Sequence, residues 1–169
     1  MSKSRRRRHL LRLQDETQKN WESVARSLPL QIIDSTAFQL LEGGPKARRR
    51  FLDWGVFHVE HSFLTAWRDS KKCLANRNAL LKAPRLDRPQ LQAWDREFVA
   101  ASVKVDAQRG AYLDRFLPVF KEVYAQLEGS HVASLEIRYD RGWAEGANLD
   151  AELVRTLEVD RRYGSTQLG

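Results

Sequence analysis

The chain has 169 residues, 42% hydrophobic and 30% charged, so it is too apolar to be disordered throughout and large enough for one buried core. Its single cysteine excludes an internal disulfide framework, and no segment approaches the roughly 20 consecutive apolar residues that cross a bilayer. In the absence of a secretory signal, we expect a cytoplasmic protein that does not act on a membrane.

The formal net charge of +7 is distributed unevenly along the chain. Residues 1–12 contain six basic residues and no acidic one, and residues 46–88 carry a net charge of +7 by themselves. Acidic segments on both sides hide this second block from the global count. A basic block within the folded part of the chain indicates polyanion contact more specifically than a basic tail does.

Several short elements are predicted before the first long helix. The first 20 residues have no convincing apolar face and are expected to form a disordered basic tail. The apolar residues at 30–33 predict a strand, and Asp34 and Ser35 can cap a brief helix after it. The breaker Gly43-Gly44-Pro45 places proline at the first position of a new helix.

Two long helices with heptad spacing are predicted in the middle of the chain, separated by the proline-containing residues 83–90. Apolar residues recur at intervals of three and four in both helices, which favours an antiparallel helical hairpin with some polar seam positions. The predicted seam contains Leu64, Trp67, Lys71, Leu74, Asn78 and Leu81 in the first helix, and Leu91, Trp94, Phe98, Ala101, Val105, Gln108 and Tyr112 in the second.

The last third of the chain changes its period. Pro118 is expected to kink or restart the second long helix, which continues to Gly129. Alternating apolar and charged residues at 135–139 predict a strand, and Asn148 can cap a final helix that ends near Gly164. Two isolated strands do not make a stable sheet, so we expect them to be pieces of a larger one.

The start of the helix at Pro45 is the most informative segment for function. Lys46 and Arg48 lie near the positive end of the helix dipole, where each cation is unfavourable by about 0.3–1 kcal/mol. The compensating negative charge could come from Glu42, from Asp53 or from an external phosphate. The alternatives are therefore a solvated or ion-paired helix start and contact with a polyanion or a second subunit.

No set of catalytic or metal-binding residues is recognisable. His58 and His61 have helical spacing but no third or fourth ligand, and Cys73 has no catalytic neighbour, so it is expected to be a packed helix residue. The loop G-x-x-x-x-G-K-[ST], which cradles nucleotide phosphates, does not occur in the chain.

Several segments resemble the RecF family of DNA replication and repair proteins. They are residues 28–54, which read LPLQIIDSTAFQLLEGGPKARRRFLDW, then residues 55–60, 76–82 and 141–143, and finally residues 158–164 with Thr166 and Gly169. The resemblance covers residues 21–169 and departs from the family pattern at Ser35-Thr36 and at His61. We expect residues 1–20 to match nothing in the family.

The resemblance implies a mainly α chain with a few β-strands: the antiparallel helical arm (lobe II) of an SMC/Rad50-like, ABC-type ATPase, with fragments of its α/β head lobe. By this resemblance, residues 1–20 are a tail, 21–50 a head-lobe segment near the Q-loop, 51–129 the arm, and 130–169 a return strand and helix. The chain would be the middle portion of such a protein, without the Walker A, signature and Walker B segments.

The function implied by the resemblance is DNA replication, repair and recombination in the response to DNA damage, including the SOS response. Family members bind DNA near single-strand/double-strand junctions, bind ATP with magnesium, form homodimers, and assist RecO and RecR in loading RecA at gaps. For this chain alone, we expect no cofactor and no ATPase activity because it lacks the phosphate-binding loop.

Eight basic residues are candidates for contact with DNA phosphates or with a partner subunit. Two other functions stay open: a non-catalytic helical module whose hairpin binds a protein partner, and a non-functional remnant that folds poorly. The eight candidates are Lys46, Arg48, Arg49, Arg50, Arg68, Lys71, Lys72 and Arg77.

Overall fold

The computed structural model describes residues 10–13, 15–18, 20–128 and 136–168. The chain divides into two compact units, Met1–His58 and Val59–Gly169. The described residues are mainly helical and contain one two-stranded sheet, as the sequence predicts. None of their helices is both long enough and apolar enough to cross a membrane.

The first unit begins with a small antiparallel hairpin of strands β1 (Arg12–Leu13) and β2 (Glu16–Thr17). Asp15 in the turn has a φ of 64°, a conformation that aspartate tolerates better than most residues. This hairpin differs from the expected disordered tail. Residues 1–9, 14 and 19 lie outside the described residues.

Four helical segments follow in the first unit. A 3₁₀ turn and a short helix occupy the region where a brief helix was predicted, and Pro45 begins the next helix, as predicted. The segments are α1 (Trp21–Ser27), the 3₁₀ turn Ser35–Phe38, α2 (Gln39–Glu42) and α3 (Pro45–Val59).

Neither predicted strand forms among the described residues. Residues 30–33 and 136–139 have no regular secondary structure, and Leu135 lies outside the described residues. The side chains of Ile32 and Ile33 are 69% and 84% exposed. A strand requires a hydrogen-bonded neighbour, and the described part of the chain offers none to either segment.

The second unit is built on an antiparallel pair of helices, α4 (Phe63–Lys82) and α5 (Arg88–Glu128), which confirms the predicted hairpin. Across it, the hydroxyl oxygens of Ser70 and Ser102 are 3.2 Å apart, and Gln108 Nε2 donates to Ser62 Oγ at 2.7 Å. Helix α5 continues through Pro118, so the predicted restart there is wrong.

The buried seam of the hairpin differs from the predicted one. On α4 it lies one residue away from the predicted stripe, and Lys71 is exposed. Polar groups at seam positions caused this error, because a search for apolar periodicity passes over arginine and aspartate. The buried residues are Phe63, Ala66, Cys73, Arg77 and Leu81 on α4, and Leu91, Asp95, Phe98, Ser102 and Val105 on α5.

Helix α6 (Leu149–Tyr163) packs against the hairpin. Asn148 accepts a hydrogen bond from the Ala151 N–H and caps the helix, as predicted. Leu153 is 1% exposed and joins Cys73 and Phe98 in the core cluster of the unit. Leu168, beyond the end of α6, also packs against this cluster.

The chain reverses direction after α6 through a left-handed glycine. Gly164 has a φ of 64°, and its N–H donates to Arg161 O at 3.2 Å while the Ser165 N–H donates to Asp160 O at 3.0 Å. This pair of bonds is a Schellman motif, which satisfies carbonyl groups at the helix end. It directs Ser165–Leu168 back along the hairpin.

We expect Gly164→Ala to lower the free energy of unfolding by about 1–2 kcal/mol, because alanine is strained at positive φ. The added Cβ would also lie 3.0 Å from Lys82 Cγ. Gly110→Ala is the matched control, since Gly110 lies within α5 with open space around it, and we expect about 0.5–1 kcal/mol of stabilisation there. Urea unfolding measures both changes. Equal effects at the two sites would contradict the assigned conformation of Gly164.

Candidate functional site

The side chain of Arg77 lies fully buried at the meeting point of the three helices of the second unit. Its Nε donates to Asp95 Oδ1 on α5 at 2.7 Å, and its Nη1 donates to Asp160 Oδ2 on α6 at 2.8 Å. The side chains of Arg77 and Asp160 are 0% exposed, and that of Asp95 is 13% exposed. One guanidinium therefore joins α4, α5 and α6.

Thr166 and Asn78 extend this network to the segment after α6. Arg77 Nη1 donates to Thr166 Oγ1 at 2.6 Å, and the same hydroxyl donates to Asn78 Oδ1 at 2.7 Å. The Thr166 N–H donates to Asn78 Oδ1 at 2.9 Å. Thr166 thus uses both its hydroxyl and its amide to fix the returning segment to α4.

The other oxygen of the Asp160 carboxylate holds the next residue. The Gln167 N–H donates to Asp160 Oδ1 at 2.9 Å, and Thr156 Oγ1 lies 3.3 Å from Asp160 Oδ2. Asp160 therefore binds Arg77 through one oxygen and the backbone after its own helix through the other. We call Arg77, Asn78, Asp95, Asp160 and Thr166 the Arg77 network.

The charges of the Arg77 network are one cation and two carboxylates in a mostly water-free environment. Burial raises the pKa of the Asp95 carboxyl, although the hydrogen bond and the charge of Arg77 act in the opposite direction. Arg77 Nη2 is buried without a hydrogen-bond partner among the described residues. Such an unmade bond is costly, so the network fixes the arrangement of the helices more than it adds stability.

The Arg77 network explains part of the family resemblance in physical terms. Arg77 and Asn78 come from one of the matching segments, and Asp160, Gly164 and Thr166 come from another about 80 residues further along the chain. The sequence marked both segments as similar to a known family, but it gave no indication that they meet. Arg77 was predicted to contact DNA or a partner subunit; that prediction is wrong for this conformation because its side chain is inaccessible.

The remaining candidates on α3 are on the surface of the first unit. Lys46, Arg48, Arg49 and Arg50 are all exposed. Arg48 Nη1 donates to Gly43 O at 2.8 Å and to Leu40 O at 3.4 Å. The compensation expected for Arg48 thus comes from carbonyl groups around the end of α2, rather than from Glu42, Asp53 or an external phosphate.

Three candidates on α4, Arg68, Lys71 and Lys72, are exposed on the second unit. Lys71 Nζ lies 5.7 Å from the ring centre of Trp67, a cation–π contact. This contact leaves the ammonium group at the surface, so the α4 cations other than Arg77 are available to a charged ligand.

The geometry does not fit a nucleotide or a metal ion. A Cβ built on Gly43 would lie 2.3 Å from Gln39 O, so close approach to the chain's own backbone accounts for this glycine without a phosphate. The described residues contain no group of three His, Cys, Asp or Glu side chains that could hold a metal ion. Helix α3 ends at Val59, so His61 lies beyond the helix that contains His58. Burial raises the pKa of the Cys73 thiol, which makes it a poor nucleophile.

A second polar cluster fastens residues 139–141 to α5. Tyr139 OH donates to Asp106 Oδ1 at 2.8 Å, and Arg141 Nε lies 3.7 Å from Asp106 Oδ2. Burial raises the pKa of Tyr139 to about 12, and its hydrogen bond to the Asp106 carboxylate acts in the same direction. This cluster gives the return segment a fixed position without a strand.

The fold is that of a segment of an ABC-type ATPase. A solved structure of the recombination mediator protein RecF with ATPrS, in the RecFOR pathway, matches 95% of this chain and 46% of its own with a TM-score of 0.80 at 20% identity. The predicted fold class, a helical arm with head-lobe fragments, is confirmed. No protein-family model matches the chain.

Sequence comparison supports the same family, and the expected resemblance to RecF is confirmed. The chain is 40% identical to the DNA replication and repair protein RecF of Pseudomonas paraeruginosa over all 169 residues, and 41% identical to that of Azotobacter vinelandii over 159 residues. The first alignment includes residues 1–20, which we expected to lie outside the resemblance. The chain spans less than half of these relatives, 45% and 43% of their lengths.

We expect Arg77→Met to lower the free energy of unfolding by about 3–5 kcal/mol, because it leaves the buried Asp160 and Asp95 carboxylates without their cation. Thr166→Val keeps both ion pairs and removes only hydrogen bonds, so its expected cost is about 1–3 kcal/mol. Arg96→Met, at an exposed α5 position, should change stability by less than about 0.5 kcal/mol. Urea unfolding gives all three values. An effect of Arg77→Met no larger than that of Arg96→Met would disprove the network.

Tyr139 should lose its phenolic proton near pH 12. The folded-state pKa lies above the unfolded value near 10, so between these pH values the folded chain keeps a proton that the unfolded chain loses. The contribution of Tyr139 to the free energy of unfolding is thus full below pH 10 and is lost as the pH rises toward 12. Subtracting the phenolate absorbance of Tyr139→Phe from that of the unchanged chain isolates this titration, and Asp106→Asn should lower its midpoint. A midpoint near 10 in the unchanged chain would refute the buried Tyr139–Asp106 contact.

Proposed function

We propose that the chain is part of a RecF-type DNA replication and repair protein and that it contacts DNA through exposed basic side chains. The observation that carries this proposal is the 40% identity to DNA replication and repair proteins along the whole chain. The Arg77 network supports it, because residues that carry the resemblance meet in the core.

The exposed cations of α3 and α4 are the proposed DNA contacts. On α3, Lys46, Arg49 and Arg50 extend into solvent, while Arg48 is held by carbonyl groups beside them. On α4, the proposed contacts are Lys71 and its basic neighbours Arg68 and Lys72. Arginine suits this role because its planar fork binds two phosphate oxygens at once.

The finer activities belong to the intact protein in this proposal. They comprise binding near single-strand/double-strand junctions, homodimerisation, and cooperation with RecO and RecR to load RecA at gaps, within recombination and the SOS response in the cytoplasm. The similar solved structure is described with ATPrS, and we place ATP and magnesium binding by the intact protein on residues other than those of this chain. In support, the chain contains no phosphate-binding loop.

A helical module that binds a protein partner is the second candidate. An open groove of about 610 Å³ follows the α4–α5 hairpin and is lined by Trp94, Asp69, Glu97, Lys72 and Lys104 among others. Its alternating charges suit a polar peptide segment better than a nucleic acid, which would be repelled by the two carboxylates. The remnant alternative is disfavoured by the Arg77 network, which requires three helices to be in place at once.

We expect the chain to bind duplex DNA that carries a single-stranded extension, with log Kd rising linearly with log salt because phosphate binding releases counterions. Lys46→Gln/Arg49→Gln/Arg50→Gln should weaken binding and reduce the salt slope by roughly 0.9 for each phosphate that is no longer neutralised. Fluorescence anisotropy of the labelled DNA, between about 50 and 200 mM salt, gives both quantities.

The matched control is Lys104→Gln/Arg115→Gln/Lys121→Gln, which removes the same charge from exposed positions on α5. It should leave the salt slope unchanged. If the two triple variants behave alike, α3 has no specific DNA role. If the unchanged chain does not bind at all, DNA contact by this chain is ruled out.

A further inference from the structure

A second basic surface lies at the turn between α4 and α5, away from all the candidates predicted from the sequence. It combines residues of the turn with residues at the end of α6, and all its members are exposed. We call it the turn-end surface; it consists of Lys82, Arg85, Arg88, Arg161 and Arg162.

Two contacts bring its two parts together. Arg161 Nη2 donates to Pro84 O in the turn at 3.4 Å. The side chain of Lys82 passes over Gly164, where a Cβ would lie 3.0 Å from Lys82 Cγ. The Schellman motif at Gly164 therefore sets the last turn of α6 directly beside the end of the hairpin.

The turn-end surface has little negative charge to balance it. Residues 82–88 and 161–164 contain five cations and a single carboxylate, Asp87. That carboxylate accepts a hydrogen bond from the Gln90 N–H at 3.0 Å and caps α5. The nearest acid in α6, Asp160, is buried and bound to Arg77. Glu158 follows the same helix one turn earlier.

Folding accounts for only some of these cations. Lys82, Arg161 and Arg162 lie in the last turns of α4 and α6, where the helix dipole favours positive charge. Arg85 lies in the turn, and Arg88 begins α5, whose first turn contains no acidic residue. A cation at that end of a helix is disfavoured, so the fold gives no reason for the concentration of arginine there.

We propose that the turn-end surface binds the phosphodiester backbone of DNA. Four of its five cations are arginines, whose fork matches phosphate oxygens. Tyr163, beside Arg162, is 67% exposed and presents an aromatic ring on which a base can stack. This combination favours a nucleic acid over an acidic protein segment. The inference rests on the DNA-binding part of the proposed function and adds a contact region on the second unit.

The test is DNA binding by the full chain with Arg85→Gln/Arg88→Gln/Arg162→Gln. Lys82 and Arg161 are left in place because they contact Gly164 and the Pro84 carbonyl. With three phosphates no longer neutralised, binding should weaken roughly tenfold or more at about 200 mM salt, and the salt slope should fall by up to about 2.7. The matched control is again Lys104→Gln/Arg115→Gln/Lys121→Gln, which should bind like the unchanged chain, and thermal unfolding checks that both variants fold.

Each outcome decides the inference. If the unchanged chain binds DNA and the turn-end variant binds equally well, the turn-end surface is not a DNA contact, while DNA binding through α3 stands. If the two triple variants weaken equally, net charge explains the effect and the inference fails. If polyglutamate displaces the labelled DNA as well as unlabelled DNA does, the occupant is an acidic protein segment. If the unchanged chain binds no DNA, the inference and the proposed DNA contact fail together.

Discussion

The burial of the Arg77 guanidinium is the constraint on which the second unit depends. A cation without access to water is tolerated only when its charge and its hydrogen bonds are met inside the protein. Asp95 supplies one partner from α5, and Asp160 and Thr166 supply others from α6 and the segment after it. The network therefore forms only when α6 is docked and Gly164 has turned the chain back, which selects one arrangement of the helices over the alternatives that apolar packing alone would allow.

This constraint also divides the basic residues by role. The +7 block at residues 46–88 includes Arg77, which holds the fold together, and Arg48, which binds carbonyl groups around the end of α2. The cations left for a ligand lie at the surface of each unit. The same Schellman turn that delivers Thr166 to Arg77 also places Arg161 beside Pro84, so folding and the turn-end surface share one structural cause.

Local signals in the sequence predicted the helical hairpin, the start of α3 at Pro45 and the cap at Asn148, because periodicity and helix ends depend on nearby residues. The seam was misplaced on α4 because Arg77 occupies a core position that no apolar pattern reveals. Predicted strands at 30–33 and 136–139 failed because a strand is stabilised by a neighbour, which a local pattern does not supply. The partners of Arg77 lie as far as 89 residues away, so the resemblance could mark them without showing that they meet.

Native-state hydrogen exchange at Thr166 and Gln167 tests the central role of the Arg77 network most directly. These two amides lie outside any helix and donate to Asn78 Oδ1 and Asp160 Oδ1. If the network fixes the second unit, they exchange only on global unfolding, with the same free energy as the core amide of Cys73. Exchange as fast as that of the exposed residues 136–138 would show that the returning segment is not held and would contradict the account.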